Sequence, residues 1–318
     1  MTGDASGPAT AWTGRTRGGV FGNWFFLVLC RFLGLRVAYV FLIGVAAYFL
    51  VASRTGYRSS AEYLQRLWGP LPLLRRIGSV YRHFFSFGMM LLDRMAVLGG
   101  GEARFTFAFE AEDHVRAALT EGKGLILLTS HTGSWEVAAH LLERYGVPSH
   151  VAGIDNEVEP VRRMMDGSMT GRHVRRIDTR GAFEHSVEIL AALRGGGIVA
   201  LLGDRGSGQA LVRAPFLGKP AVFPAGAYLL AAVSGAPIMH TFVFRERGFR
   251  YRFIGAPARR LQLPPRGERQ AFLEACVGEY VRRLETMLRQ YPFQWYNFYP
   301  FWDTDPRVTL KEGTETTA

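Results

Sequence analysis

Two short, uninterrupted apolar runs constrain this chain more than any other feature: LILLTS over Leu125–Ser130 and IVALLG over Ile198–Gly203. A strand with one wet face alternates apolar and polar residues. A run that is apolar throughout reads as a strand buried on both faces, which requires helices on both sides of a sheet. The rest of the sequence supplies them. Helical patterns fall at about 134–144, 157–170, 181–194, 224–234 and 269–290, and further strands at Ser149–Gly153, Pro237–Arg245 and Phe249–Gly255. Gly195-Gly196-Gly197 stops one helix. In the last one Phe272, Leu273, Cys276, Val277, Tyr280, Val281, Leu284 and Leu288 recur on one side. The expected fold class is α/β, a mixed central β-sheet flanked by helices.

The N-terminal part has a different texture. Residues 1–20 are small, polar and Gly-rich, and are expected to be disordered. Residues 21–98 read as a membrane-anchoring helical region, 99–303 as the α/β domain, and 304–318 as a flexible tail. Phe25–Ala52 is apolar but broken by Arg31 and Arg36, and Val37–Ala52 is 16 residues without a charge. As a helix that run spans about 24 Å, against about 30 Å of hydrocarbon. Extension back to Phe25 makes it long enough, with the two arginines snorkelling or facing protein. Arg54 and Arg58 follow directly and no clean cleavage site does, which disfavours a signal peptide. Residues 57–98 look helical. The stretch Tyr81–Met95 is amphipathic, a core-packing helix or a face on lipid with Arg75, Arg76, Arg82 and Arg94 near head groups.

Charge and cysteine content narrow the classes. The chain has 38 Lys+Arg against 27 Asp+Glu, a formal +11, and only Lys123, Lys219 and Lys311 are lysines. Such an excess calls for an anionic neighbour: nucleic acid, an acidic protein or a lipid surface. Nucleic acid is disfavoured, because the arginines are spread along the chain and no binding motif occurs. Two cysteines, Cys30 and Cys276, are too few for a disulfide scaffold or a four-cysteine zinc site. The eight histidines are scattered without HExxH, so no metal is expected.

The sharpest local feature is Ser130-His131-Thr132-Gly133-Ser134-Trp135-Glu136. A histidine directly after a buried strand has a fixed backbone. Small residues follow, and Ser134 can cap the next helix. An imidazole titrating near neutral pH can take a proton from a hydroxyl, and a carboxylate beside it would orient the ring. Exposed N–H groups near Gly133, Ser134 and Trp135 could receive a developing oxyanion. The second feature, Gly203-Asp204-Arg205-Gly206, ends the other buried run. Strand ends form the ligand crevice of an open α/β sheet, so Asp204 and Arg205 lie near His131 if the two strands are neighbours. Either Glu136 or Asp204 can be the orienting carboxylate. The third feature is a pair of Pro–Gly-punctuated loops, Pro215–Pro220 and Phe223–Gly226, whose Phe216 and Gly218 are candidates to line an alkyl pocket. Neither cysteine sits near His131 in sequence, which favours direct attack by an acceptor hydroxyl over a Cys–His acyl-enzyme.

SHTGSWE, GDRG, FLGKPAVFPAG and the aromatic ending PFQWYNFYPFW, in that order and spacing, resemble the bacterial lipid A biosynthesis (late) acyltransferase family, within the lysophospholipid-type acyltransferases that carry an H-x4-D/E motif. The resemblance covers roughly residues 20–303. It implies a glycerolipid-acyltransferase-like fold and a membrane enzyme on the cytoplasmic face of the bacterial inner membrane. Such an enzyme moves a fatty acyl group from a thioester to a lipid hydroxyl. The implied co-substrate is an acyl thioester, of acyl carrier protein or CoA, with no other cofactor. The implied partners are acyl carrier protein and membrane lipids. By the same resemblance His131 is the base, Glu136 the motif carboxylate, and Asp204 and Arg205 the later pair; Arg162, Arg163 and Arg172 compete for a further family arginine. GDR stands where many lipid A enzymes have an Asp-Gln type pair. The acceptor therefore stays open among lipid A, lysophospholipid, ornithine lipid, glycolipid and aryl-polyene head groups. A non-catalytic basic membrane-binding protein is the reading from another class. The aromatic ending reads as an interfacial belt or a plug over the core.

Overall fold

The computed structural model describes residues 25–302 apart from 27, 31, 154–173, 180–183 and 206–209. The helix expected over 157–170, the start expected to be disordered over 1–20 and the tail expected over 304–318 therefore lie outside the described residues. After helical residues between 25 and 32 come three long helices: α1 (Leu35–Ala52), α2 (Arg54–Trp68) and α3 (Leu73–Ala96). Then follow β1 (Thr106–Phe109), α4 (Glu112–Leu119), β2 (Leu125–Thr129), α5 (Trp135–His140), β3 (Ser149–Gly153), β4 (Val174–Asp178), α6 (Glu184–Arg194) and β5 (Ile198–Leu202). The chain continues through β6 (Leu211–Phe216), β7 (Lys219–Pro224), α7 (Gly226–Ser234), β8 (Ile238–Arg245), β9 (Arg250–Gly255) and α8 (Arg269–Gln290).

Seven strands form one sheet in the order β1-β9-β8-β2-β5-β3-β4. Only β8 and β9 pair antiparallel in it; the other neighbours are parallel, which makes the sheet mixed. The two apolar runs are adjacent near its middle, in register from Leu125↔Ile198 to Thr129↔Leu202. All of β2 is buried, as a both-faces-covered strand must be. The edge strands β1 and β4 carried no such signal. In β4 only Val174 and Ile177 are buried, and the rest of Val-Arg-Arg-Ile-Asp faces outward.

The expected loops around Phe216 are instead a separate two-stranded hairpin, β6–β7. Leu217 and Gly218 have φ of 49° and 82°, the signature of a two-residue hairpin turn that needs left-handed backbone at both positions. Pro215 and Pro220 face each other across it, which a two-stranded sheet tolerates because both strands are edges.

The N-terminal helices share a core with the sheet. Tyr63, Leu64, Val80 and Phe84 belong to the same buried cluster as Phe216, Tyr280 and Trp295. α3 is a core helix: Val80, His83, Phe84, Met90, Leu92, Asp93 and Arg94 are buried, so Arg94 is not at a lipid surface. α1 packs on α3 through Ala38, Leu42 and Ala46. Gly88 lets it come close, since a Cβ there would stand 2.3 Å from a Leu42 methyl. Asp93 receives hydrogen bonds from Tyr39 of α1, from Tyr251 at 2.6 Å and from Arg245 at 2.7 Å. The opposite face of α1 exposes Val40, Phe41, Ile43, Tyr48 and Val51. Among the described residues α1 is the one helix long and apolar enough to cross a membrane. The aromatic ending folds as a plug: Trp295, Tyr296, Phe301 and Trp302 are buried.

Candidate active site

His131 lies two residues beyond the last residue of β2, and Asp204 two beyond the last of β5. Because Thr129 pairs with Leu202, the parallel register carries these equal offsets to the same place at the strand ends. The His131 imidazole donates from Nδ1 to Asp204 Oδ1 at 2.9 Å, and the His131 backbone N–H donates to Oδ2 at 3.0 Å. Two more donors reach Oδ2: the Trp295 indole N–H at 2.8 Å and the Asn297 amide at 3.2 Å. Asp204 is 0% exposed. Burial alone would push its carboxyl up. The His131 side chain, Arg205 and the hydrogen bonds outweigh that and hold it down, at about 2. An ionised buried carboxylate is stable only when satisfied in this way. An ionised Asp204 accepts a hydrogen bond from Nδ1–H and leaves the lone pair on Nε2, the tautomer a general base needs.

The turn after His131 is held by the C-terminal segment. Tyr296 N–H donates to the His131 carbonyl and Gly133 N–H to the Gln294 carbonyl, both at 2.9 Å, with an antiparallel bridge between Thr132 and Trp295. Gly133 has φ of 50°, and a Cβ there would stand 2.0 Å from the Val243 carbonyl oxygen, so only glycine fits. The Gly133 N–H is thus already engaged, which corrects its expected place among oxyanion donors. The Ser134 hydroxyl is buried and has no hydrogen-bond partner among the described residues. Such an orphan costs about 1–3 kcal/mol unless something satisfies it.

Arg205 turns toward the same segment. Its guanidinium bonds Asn297 Oδ1, approaches the Tyr296 carbonyl at 3.4 Å and lies over the Tyr299 ring at 4.7 Å. Glu136 sits in the first turn of α5; its side chain lies outside the described residues, as do Arg162, Arg163 and Arg172. The remaining expectations move. Phe216 is fully buried with its ring centroid 5.3 Å from that of Trp295, and Gly218 makes the exposed hairpin turn, so the one serves the core and the other the turn. The apolar cleft lies elsewhere, enclosing about 630 Å³ including open solvent. Its walls come from α4, α5, β2, β8 and β9, with Val115, Leu127, Ala138, Leu142, Met239 and Phe253 prominent. Thr129 and Trp135, on either side of His131 in sequence, also line it. No three His, Cys, Asp or Glu side chains among the described residues converge on a metal position.

The sequence reading missed Trp295 and Asn297 as Asp204 ligands because they follow it by 91 and 93 residues. The available signal was chemical. Gln294 and Asn297 interrupt an otherwise aromatic run, and a plug that only filled space would not need them.

A mixed α/β sheet with a carboxylate-held histidine at its strand ends, and an apolar cleft lined by Thr129 and Trp135, suits an acyltransferase, and comparison with known proteins supplies that class. The chain belongs to the bacterial lipid A biosynthesis acyltransferase family, whose match spans residues 15–304. It is also similar to the phosphatidylinositol mannoside acyltransferases of two Mycobacterium tuberculosis strains, ATCC 25618 / H37Rv and CDC 1551 / Oshkosh. Each is 27% identical over 197 residues, 61% of this chain and 59% of the relative. The aligned region thus spans about three-fifths of the length of the curated relatives.

Proposed function

We propose that the chain transfers a fatty acyl group from a thioester to a sugar hydroxyl of a membrane glycolipid. The observation that carries this reading is that Thr129 and Trp135, which flank His131 in sequence, line the apolar cleft, while the His131 ring is held through Nδ1 by Asp204. An acyl chain in the cleft would bring its thioester carbonyl to His131. The imidazole Nε2 takes the proton of the acceptor hydroxyl, and the oxygen attacks the carbonyl carbon. The tetrahedral intermediate collapses with cleavage of the C–S bond, and the thiolate leaves with the proton from the imidazolium. The orphaned Ser134 hydroxyl is suited to donate to the oxyanion. The family is named for lipid A and the relatives for phosphatidylinositol mannoside, both lipids bearing sugars, which supports a sugar hydroxyl as acceptor. A formal charge of +11 suits an acidic donor such as acyl carrier protein, and anionic lipid at the cytoplasmic face of the inner membrane.

The test uses the purified full chain with acyl-CoA or acyl carrier protein thioesters and a panel of acceptors: mannosylated phosphatidylinositol, lipid A precursors, ornithine lipid and lysophospholipid. Thiol release with a mass gain of one acyl group on a sugar-bearing lipid is expected. Transfer confined to lysophospholipid or ornithine lipid would overturn the acceptor class.

A further inference from the structure

We propose that His83 of α3 is a positioning residue for the His131–Asp204 pair, acting through Trp295. The inference rests on the acyl-transfer reading only for its kinetic arm.

His83 is 0% exposed and lies one side chain removed from the site. Its Nε2 is 2.9 Å from the Trp295 carbonyl, and its Nδ1 is 2.8 Å from Ser60 Oγ of α2. A carbonyl only accepts, so Nε2 carries the proton. Nδ1 is then the acceptor, and Ser60 donates. Burial pushes His83 down to about 4, against the opposing effect of the Trp295 carbonyl, so the ring is neutral at pH 7. The direction of every bond is therefore fixed: Ser60 to His83, His83 to the Trp295 backbone, and the Trp295 indole to Asp204. Trp295 is gripped at both ends, its carbonyl by α3 and its ring N–H by the carboxylate that holds the base. A leucine at 83 would fill the same space without the desolvation cost of a buried imidazole. What the imidazole adds is a fixed donor to the residue that sets the Asp204 hydrogen-bond count.

That count matters for the base. Each donor to Asp204 disperses carboxylate charge that would otherwise favour imidazolium at His131. The other ionisable groups with electrostatic influence on Asp204 are Arg205 beside it, Tyr280 from α8 and Tyr299 from the C-terminal segment; around His83 they are Tyr63 from α2 and Tyr296. Loss of the indole bond therefore raises the pH at which His131 becomes protonated, and loss of the His83 grip does so by letting the indole tilt.

The experiment compares His83→Leu, His83→Gln and Trp295→Phe in the full chain in detergent. His83→Leu is expected to lower kcat about tenfold or more with acceptor KM within about twofold, and to move the acid limb of kcat/KM up by about half a pH unit or more. His83→Gln, whose amide N–H can reach the Trp295 carbonyl, is expected to recover kcat to within about threefold of the parent. His83→Leu combined with Trp295→Phe is expected to be no worse than Trp295→Phe alone, because both act on one path. Independent losses that multiply, or an unmoved acid limb in folded His83→Leu, overturn the proposal. Nitrogen-15 titration of the His131 imidazole, assigned with His131→Gln, reads the same shift without turnover. Failure of acyl transfer by the parent chain would sink the functional reading, while an unmoved His131 titration in Trp295→Phe, or a His83→Gln titration moved as far as that of Trp295→Phe, would sink this one. If His83→Leu does not fold, those two variants decide.

Discussion

In the proposed reaction His131 is the residue on which the chemistry turns, and its neighbours make its loss separable from unfolding. The ring is partly exposed at the strand end, whereas its partner Asp204 is fully enclosed. His131→Ala therefore removes little packing. Its kcat/KM is expected to fall by roughly 10²–10⁴-fold, the usual worth of a general base, with a melting temperature near that of the parent. A variant retaining a tenth of the activity would show that another group takes the proton. Asp204 is a different case. Four donors converge on it, and Asn offers one acceptor where the carboxylate offers two. Asp204→Asn is expected to lose kcat and also about 1–3 kcal/mol of stability, because buried donors lose their acceptor. Glu136→Gln, at a helix start, is expected to cost only a few tenths of a kcal/mol to about 1 through the helix dipole. Measurement of kcat and Tm for both decides between them: a stable, inactive Glu136→Gln beside an active Asp204→Asn would give the orienting role to Glu136.

At the scale of elements, the catalytic geometry is a matter of register. Equal offsets past β2 and β5 bring two distant residues together, and the third support, residues 294–297, arrives from the far end of the chain. Gly133→Ala tests that construction directly. The added methyl meets a backbone oxygen that has no freedom to rotate away, so the 131–133 turn must separate from either β8 or the 294–296 segment. Activity is expected to drop at least about tenfold together with a Tm loss of several degrees, as for other forced positive-φ substitutions; a parent-like melt and parent-like kcat would mean that the loop relaxes elsewhere. The same register explains what could be read beforehand. β2 and β5 announced themselves because burial on both faces leaves no polar position, and α8 because its apolar stripe keeps one side. β1 and β4, at the sheet edges, have neither continuous apolarity nor clean alternation. The β6–β7 hairpin hid behind its prolines, since the Leu217 conformation that closes it is rare for a residue with a Cβ. The His131–Asp204 pairing was legible once the two strands were placed side by side. The Trp295 and Asn297 contacts were not, because nothing local to an aromatic run states which side chain reaches across 90-odd residues.

For the whole molecule, two buried histidines set the acid limit of stability. Burial holds both His83 and His240 down at about 4, below their ordinary unfolded value near 6.5. The unfolded chain then binds more protons between these values, so their contribution is complete above about pH 6.5 and is lost as pH falls toward about 4, by up to about 1.4 kcal/mol per pH unit for each. Asp204, held at about 2 against an ordinary value near 3.9, stays ionised when folded and adds its own loss only as the pH nears 4 and below, where the unfolded carboxyl takes up a proton. Melting temperature is expected to fall steadily from pH 7 to 4.5, and His240→Gln to flatten the fall; a level profile would contradict the burial of these rings. Membrane attachment is the other proposal that belongs to the whole molecule. α1 is tied to the body on one side by Leu42 against Gly88 and by Tyr39 on Asp93, so it is not a free tether. Its other side exposes Phe41 at 49% and Val51 at 81%, an apolar face that the Phe25 ring meets at Phe41. Removal of the helix would confound anchoring with the loss of that inner packing. Charges on the outer face alone do not. Phe41→Glu combined with Val51→Glu is expected to leave Tm within a degree or two and to move the protein from the membrane pellet to the supernatant at high salt, since each buried carboxylate opposes insertion by about 2–3 kcal/mol. Retention of the folded double variant in the pellet would place the anchor in other surfaces, with the exposed Leu73 and Leu74 at the start of α3 next in line.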